Sequence, residues 1–140
     1  MPHPTLPRSR RQRGFMLIEV LVSAVIFAIG VLALIGLQSK MTRAQAAAKD
    51  RTDAAYLATE LQALMWSDLG NLASYHNCPI TYAPCAEWRD KLASVLPGSA
   101  GQAQTITVSN TGDVAIALAW QTAQGDVHTY TTQTTIRPAR

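Results

Sequence analysis

The chain has 140 residues and a formal net charge of +3, with 48% of its side chains apolar; that bounds it to one small globular domain plus an extension. The positive charge is local. Residues 1–14 hold Arg8, Arg10, Arg11 and Arg13 and no acid, so the remainder carries eight of the 12 basic residues against all nine acidic ones, a net of −1. A domain without a basic excess gives no support for nucleic acid as its ligand.

The first element is apolar. Over residues 15–37 the only ionisable side chain is Glu19. As a helix those positions rise about 34 Å at ~1.5 Å per residue, enough for a hydrocarbon core of ~30 Å. Arginines flanking the start hold the N-terminus in the cytoplasm and send the rest outward. An ordinary secretory signal is the competing reading, since Gly30, Ala33 and Gly36 offer small residues for a later cut; Glu19 near the start of the apolar run fits that poorly.

No proline or glycine occurs from Gln38 to Trp66, and alanine is abundant, so the pattern predicts one continuous helix from about Leu17 to about Trp66. Ala54, Leu57, Leu61 and Leu64 recur at three- and four-residue spacing, broadened by Ala58 and Met65, and form a stripe for a small domain. Met41, Ala44, Ala47 and Ala48 make only a thin face before it. Gly70 and Asn71 supply stop signals. Asn77 to Cys85, with two prolines, reads as a loop. Ala86 to Leu96 reads as an amphipathic helix with Trp88, Leu92 and Val95 on one side, ended by Pro97-Gly98, and Ser99 to Gln102 as a polar connector.

The period then changes to two. Ile106 and Val108 alternate with threonine and serine; Val114, Ile116, Leu118 and Trp120 alternate with alanine; a threonine-rich run covers Val127 to Ile136. Asn110-Thr111-Gly112-Asp113 and Gln124-Gly125-Asp126 are turns. The expected fold is α+β: a long N-terminal helix packed on a small antiparallel sheet of about three strands. Its divisions are a leader at 1–14, a transmembrane half-helix at 15–37, an amphipathic half at 38–66 and a small periplasmic domain at 67–140.

The front of the chain, Arg8-Ser9-Arg10-Arg11-Gln12-Arg13-Gly14-Phe15-Met16-Leu17-Ile18-Glu19, resembles a type IV pilin or pseudopilin signal. The resemblance implies that a prepilin peptidase cuts between Gly14 and Phe15 on the cytoplasmic side and methylates the new amino group of Phe15. Met16 stands where the family commonly has threonine, a mild departure that keeps the segment apolar. The residues agree on Glu19: an acid at a helix centre in lipid costs roughly 2.5–3.5 kcal/mol on insertion scales. The cost is smaller near the interface and larger inside a bundle of spans, where a partner matters. The free amine of a neighbouring subunit's first residue is the obvious candidate for that partner, and such a pair sets axial register between subunits. The competing reading is a carboxylate that snorkels to the interface. Ser23, Ala24, Ala28 and Gly30 permit close helix contact or are ordinary membrane-helix composition.

Many major pilins carry a proline late in the span; here none occurs between Phe15 and Trp66, and Gly36 lies where a break would come. Over residues 14–65, and again from Ala86-Glu87-Trp88-Arg89 to Leu96-Pro97-Gly98, the chain is similar to PilV-type minor pilins, also described as pilus modification proteins. That resemblance implies a role in initiating type IV pilus assembly, with other minor and major pilins and an inner-membrane assembly platform as partners. The alternatives are a minor pseudopilin of type II secretion and a membrane-anchored tip module binding an adhesin or other ligand.

Cys78 and Cys85 are the only cysteines. An even count on the exported side suits one disulfide, worth about 2.5 kcal/mol for so short a loop. Zinc would need both cysteines with His76 and His128, at a spacing that matches no zinc pattern. No phosphate loop or nucleophile context is present, and Asp90 and Asp113 read as a solvated helix face and a turn, so neither an enzyme nor a cofactor is expected. Trp66, Trp88 and Trp120 read as core, with a ligand surface the competing reading for Trp66.

Overall fold

The computed structural model of the chain describes residues 13–137; the greater part of the leader, residues 1–12, lies outside them. The element order is α1 (Arg13–Ser67), a 3-10 segment (Leu69–Tyr75), α2 (Ala83–Val95), a 3-10 turn (Ser99–Gly101), then β1 (Thr105–Val108), β2 (Asp113–Gln121) and β3 (Val127–Thr135). The strands form one antiparallel sheet in the order β1-β2-β3. This is the α+β arrangement expected, a long apolar N-terminal helix and a three-stranded sheet. By compactness the chain divides into two units, Met1–Gln45 and Ala46–Arg140.

α1 runs unbroken through Gly30 and Gly36, which a helix tolerates at about 1 kcal/mol each. Thr42, Thr52 and Thr59 turn their hydroxyls onto the carbonyls four residues earlier at 2.9–3.0 Å, which satisfies them within the helix. In the second unit its stripe of Ala54, Leu57, Ala58, Leu61 and Met65 is wholly buried. Facing it are Trp88, Leu92 and Leu96 from the α2 region, and Ile106, Val114, Ile116, Leu118, Trp120 and Ile136 from the sheet and its end. β2 alternates between buried and partly covered residues along its length, as a strand does when one face is core.

Four details differ from the sequence reading. α2 begins at Ala83, so Pro84 and Cys85 belong to its first turn and not to a loop; proline is suited to that turn because its missing N–H would have no helical partner. Gly70 and Asn71, expected as stop signals, lie inside the 3-10 segment that follows α1; the helix is broken earlier, at Asp68, whose backbone is not helical, and Asn71 marks a kink within the segment. Trp66 is 48% exposed and outside the core, because Met65 takes the inward position beside it. Ser99, expected in a polar connector, is buried, its hydroxyl donating to the carbonyls of Leu92 or Leu96.

Two glycines are required by close approach. Gly112 has φ +82 and a Cβ there would meet Ile136 O at 2.3 Å; Gly98 has φ +64 and a Cβ would meet Gln121 O at 2.8 Å. Both positions join an end of the sheet to its neighbour: Ile136 N–H donates to Gly112 O at 2.7 Å, and Gln121 N–H to Pro97 O at 3.1 Å.

Candidate functional site

The candidate site is the start of α1. Arg13 and Gly14 are already helical, so the helix begins about one turn before the expected start at Leu17. The bond between Gly14 and Phe15 therefore lies inside the first turn, and an extended approach to a protease requires that turn to unwind. A first turn is the part of a helix least held by its own hydrogen bonds.

Phe15 and Glu19 are four residues apart, which puts them on one face of the helix, about 6 Å apart along its axis. Every residue of 15–37 is exposed, Glu19 included, among them Phe15 at 74%, Leu21 at 65% and Phe27 at 72%. Apolar exposure on all sides of a helix belongs to a surface made for lipid or for other helices and not for water. α1 is long and apolar enough to cross a membrane. Among the described residues Glu19 has no hydrogen-bond or ion-pair partner, so any counter-charge comes from outside this part of the chain.

The second cluster singled out from sequence is the cysteine pair. Cys78 and Cys85 are both buried and joined by a disulfide with Cα atoms 5.1 Å apart. The bond ties the turn that follows the 3-10 segment to the first turn of α2. Asn77 and Cys78 both hold positive φ, at 55° and 42°, a conformation side chains other than glycine adopt at a cost. Arg89 holds it in place, Nε donating to Cys78 O at 2.7 Å and Nη2 to Asn77 O at 3.0 Å. The thiols are thus consumed, and His76 is engaged elsewhere, its Nδ1 accepting the Val108 N–H at 3.2 Å. His128 lies beside Trp120, ring centroids 5.7 Å apart, so the four residues of the hypothetical zinc set are not brought together as free ligands.

Sequence reasoning missed a polar cluster just beyond the end of α1. Asp68 accepts hydrogen bonds from the hydroxyls of Tyr82 and, at 3.3 Å, Tyr75, and from Asn71 Nδ2 at 2.8 Å. The Tyr82 bond first, then Asn71, holds the Asp68 carboxyl below the usual carboxylate range. Burial first, then Tyr82 and Asp68 beside it, pushes the Tyr75 phenol up. It also missed the ion pair from Lys91 Nζ to both Glu60 oxygens at 2.7 Å, which links α2 to α1 over the face of Tyr56. Asn71 is three residues from Asp68, but the tyrosines are seven and 14 residues away and Lys91 is 31 from Glu60, so nothing local signals those contacts. Trp88 and Trp120 are core as expected; Trp88 Nε1 donates to Leu57 O at 2.9 Å, while Trp120 Nε1 is buried without a partner among the described residues.

A protein-family model described as the prokaryotic N-terminal methylation motif matches residues 9–35. No curated protein and no solved structure matches the chain. The motif covers Arg10, Arg11 and Arg13 of the arginine cluster, Gly14, Phe15, Glu19 and most of the exposed apolar run. It implies processing by a prepilin peptidase and association with other pilins in a membrane assembly system, and it fits membrane anchoring through α1. Together with the long helix and three-stranded sheet, the motif supports a type IV pilin-like protein, a pilin or a pseudopilin.

Proposed function

We propose that the chain is a minor pilin that helps to initiate assembly of a type IV pilus. The prepilin peptidase cuts between Gly14 and Phe15 and methylates Phe15. Residues 15–37 store the subunit in the inner membrane, N-terminus in the cytoplasm and the domain at 67–140 in the periplasm, with 38–66 joining the two. On assembly the apolar helix passes from lipid to a bundle of like helices, and Glu19 takes the amine of a neighbouring subunit's Phe15 as its counter-charge. The attraction grows as water is excluded and sets the axial register. Other minor and major pilins and the inner-membrane platform are its partners, with a tip adhesin a further one.

The observation that carries this reading is a lone carboxylate one helical turn beyond Phe15 in a segment whose every residue is exposed. The absence of proline from Phe15 to Trp66 supports a minor over a major subunit. Mass spectrometry of the mature chain tests the processing: a methylated Phe15 is expected, and a start near Gln38 overturns it in favour of ordinary secretion. Glu19→Ala is expected to insert into the membrane but to be depleted from fibres; normal incorporation overturns the pairing. Deletion of the gene separates the roles, because loss of protein secretion with intact fibres assigns the chain to a type II pseudopilus instead.

A further inference from the structure

The two edges of the sheet are finished differently. On β1, Ile106 O accepts from Asn77 N–H at 2.8 Å and Val108 N–H donates to His76 Nδ1 at 3.2 Å. The even-numbered residues of β1 thus turn their backbone groups away from β2, and those groups are filled. The ladder to β2 runs through the odd pairs Thr105↔Ala117 and Thr107↔Ala115. Gln104 extends it with its side chain, Nε2 donating to Ala119 O and Oε1 accepting Ala119 N–H, both at 2.9 Å. By the alternation of an antiparallel ladder, the even residues of β2 face β3, where Val114, Ile116, Leu118 and Trp120 pair with Thr134, Thr132, Tyr130 and His128. Bonds beyond both ends keep that parity: Ile136 N–H to Gly112 O at 2.7 Å and Thr122 N–H to Asp126 O at 2.9 Å.

It follows that Val127, Thr129, Thr131, Gln133 and Thr135 aim their N–H and C=O groups outward. All five residues are exposed, and no other group among the described residues bonds to that edge. Sheets commonly protect such an edge with lysine, proline, a bulge or a covering segment. β3 has no Lys, Arg, Asp, Glu or Pro, and its pairing with β2 continues without a bulge from Gln121↔Val127 to Asp113↔Thr135.

We propose that the outer edge of β3 receives a fourth strand, an extended segment of a different protein chain that is uncharged opposite Thr129, Thr131 and Gln133. Donor and acceptor recur at every second residue, about 6.8 Å apart, a spacing that another extended backbone matches along its length and a small ligand matches at one residue only. Asp126 precedes the strand, so the incoming segment carries a base across from it; Arg137 at the other end is already engaged, Nε donating to Thr111 O at 2.6 Å and Nη2 3.5 Å from Asp113 Oδ1, and asks for no acid. A second copy is disfavoured. Antiparallel pairing of β3 with itself uses a two-fold normal to the sheet, which reverses the chain direction of residues 46–67 on its inner face; chains anchored through their N-termini in one membrane enter their domains from the same side. Parallel pairing through the same edge needs a two-fold along the strands, which turns the second sheet over and puts residues 46–67 of the two copies on opposite faces of the joined sheet, where they cannot enter one helix bundle side by side. This choice of a different chain rests on the pilin reading; the open edge does not.

The test uses the full chain in its own membranes, with the photo-crosslinker p-benzoylphenylalanine placed in turn at Thr129, Thr131 and Gln133, and the crosslinked peptides sequenced. The expected result is that all three join one segment of one other chain, at positions stepping by two residues. Thr131→Pro removes an outward N–H and leaves the ladder to β2 intact, as prolines on edge strands do. With the crosslinker at Thr129 it is expected to lower the yield roughly tenfold through lost hydrogen bonds. Thr132→Pro breaks the bond to Ile116 and is the unfolding comparator. Should Thr131→Pro itself unfold, Thr131→Lys with Gln133→Lys blocks the edge by charge. Scattered crosslinks, crosslinks to β3 of a second copy, or an unchanged yield in the folded variants overturn the proposal. The N-terminal mass is read from the same cells: an uncut chain with the strand crosslinks refutes the pilin reading alone, and a methylated Phe15 without them refutes the strand alone.

Discussion

Residues 15–37 and residues 54–65 belong to the same helix and meet their surroundings in opposite ways. In the first stretch every side chain is exposed and nearly all are apolar; in the second, Ala54, Leu57, Ala58, Leu61 and Met65 are buried while Tyr56 and Thr59 face out. A helix that is apolar all round has no preferred side and must find its partner outside the chain, whereas a striped helix finds it within. The comparison separates two kinds of substitution: those in 54–65 act on folding, and those in 15–37 on insertion and assembly.

The sharpest way to break that separation is truncation. Leu61→Ala is expected to destabilise the domain by about 3.5 kcal/mol, the middle of the range for a fully buried leucine, while Leu21→Ala leaves the domain's unfolding midpoint unchanged. Denaturation of the full chain in detergent, followed by tryptophan fluorescence, reads both; an equal loss for the two variants would end the distinction. Replacing Cys78 and Cys85 together by serine is expected to cost about 2.5 kcal/mol on the loop-entropy estimate. The loss should appear in the same unfolding assay, with the membrane-bound fraction unaltered.

A smaller effect is set by pH. The Asp68 carboxyl is held below its ordinary range by Tyr82, then Asn71. Its folded-state pKa is therefore lower than its unfolded one of roughly 3.9, so its stabilising contribution is full above that value and fades as pH falls through the folded pKa. Asp113 acts in the same direction, its carboxyl lowered by Thr111 first and then Thr135. Asp68→Asn is expected to flatten the acid side of the stability profile; an unaltered profile below about pH 4 would remove Asp68 from the account. The smallest effect on folding is that of Glu19→Ala, expected to leave the midpoint where it was while changing fibre incorporation. A shifted midpoint would mean that the carboxylate serves the domain.

Local patterns were readable where the physics is local. The apolar run, the stripe at Ala54, Leu57 and Leu61, and the alternation in β2 follow from periodicity, because each residue's environment is set by its position on a helix or a strand. The two turn glycines were legible as turns, but not the reason for Gly112, which is the carbonyl of Ile136 far along the chain. α2 starts at Ala83 and not at Ala86 because the first turn of a helix has a place for Pro84, a residue whose local signal is otherwise that of a loop. Trp66 lies outside the core because adjacent residues at the end of a stripe compete for the inward position, and Met65 takes it.

The sequence by itself determined that a charged leader precedes an apolar helix with one acid in it, and that a helix stripe and three strands supply a core. Hydrophobic period, charge and turn chemistry act over a few residues, so they survive without coordinates. Only the tertiary structure decided that His76 and Asn77 close one sheet edge while β3 keeps the other open, that Arg89 holds the left-handed turn at the disulfide, and that two tyrosines converge on Asp68. Each of these depends on backbone or side-chain groups from distant segments arriving within hydrogen-bonding distance, which no single stretch of sequence encodes.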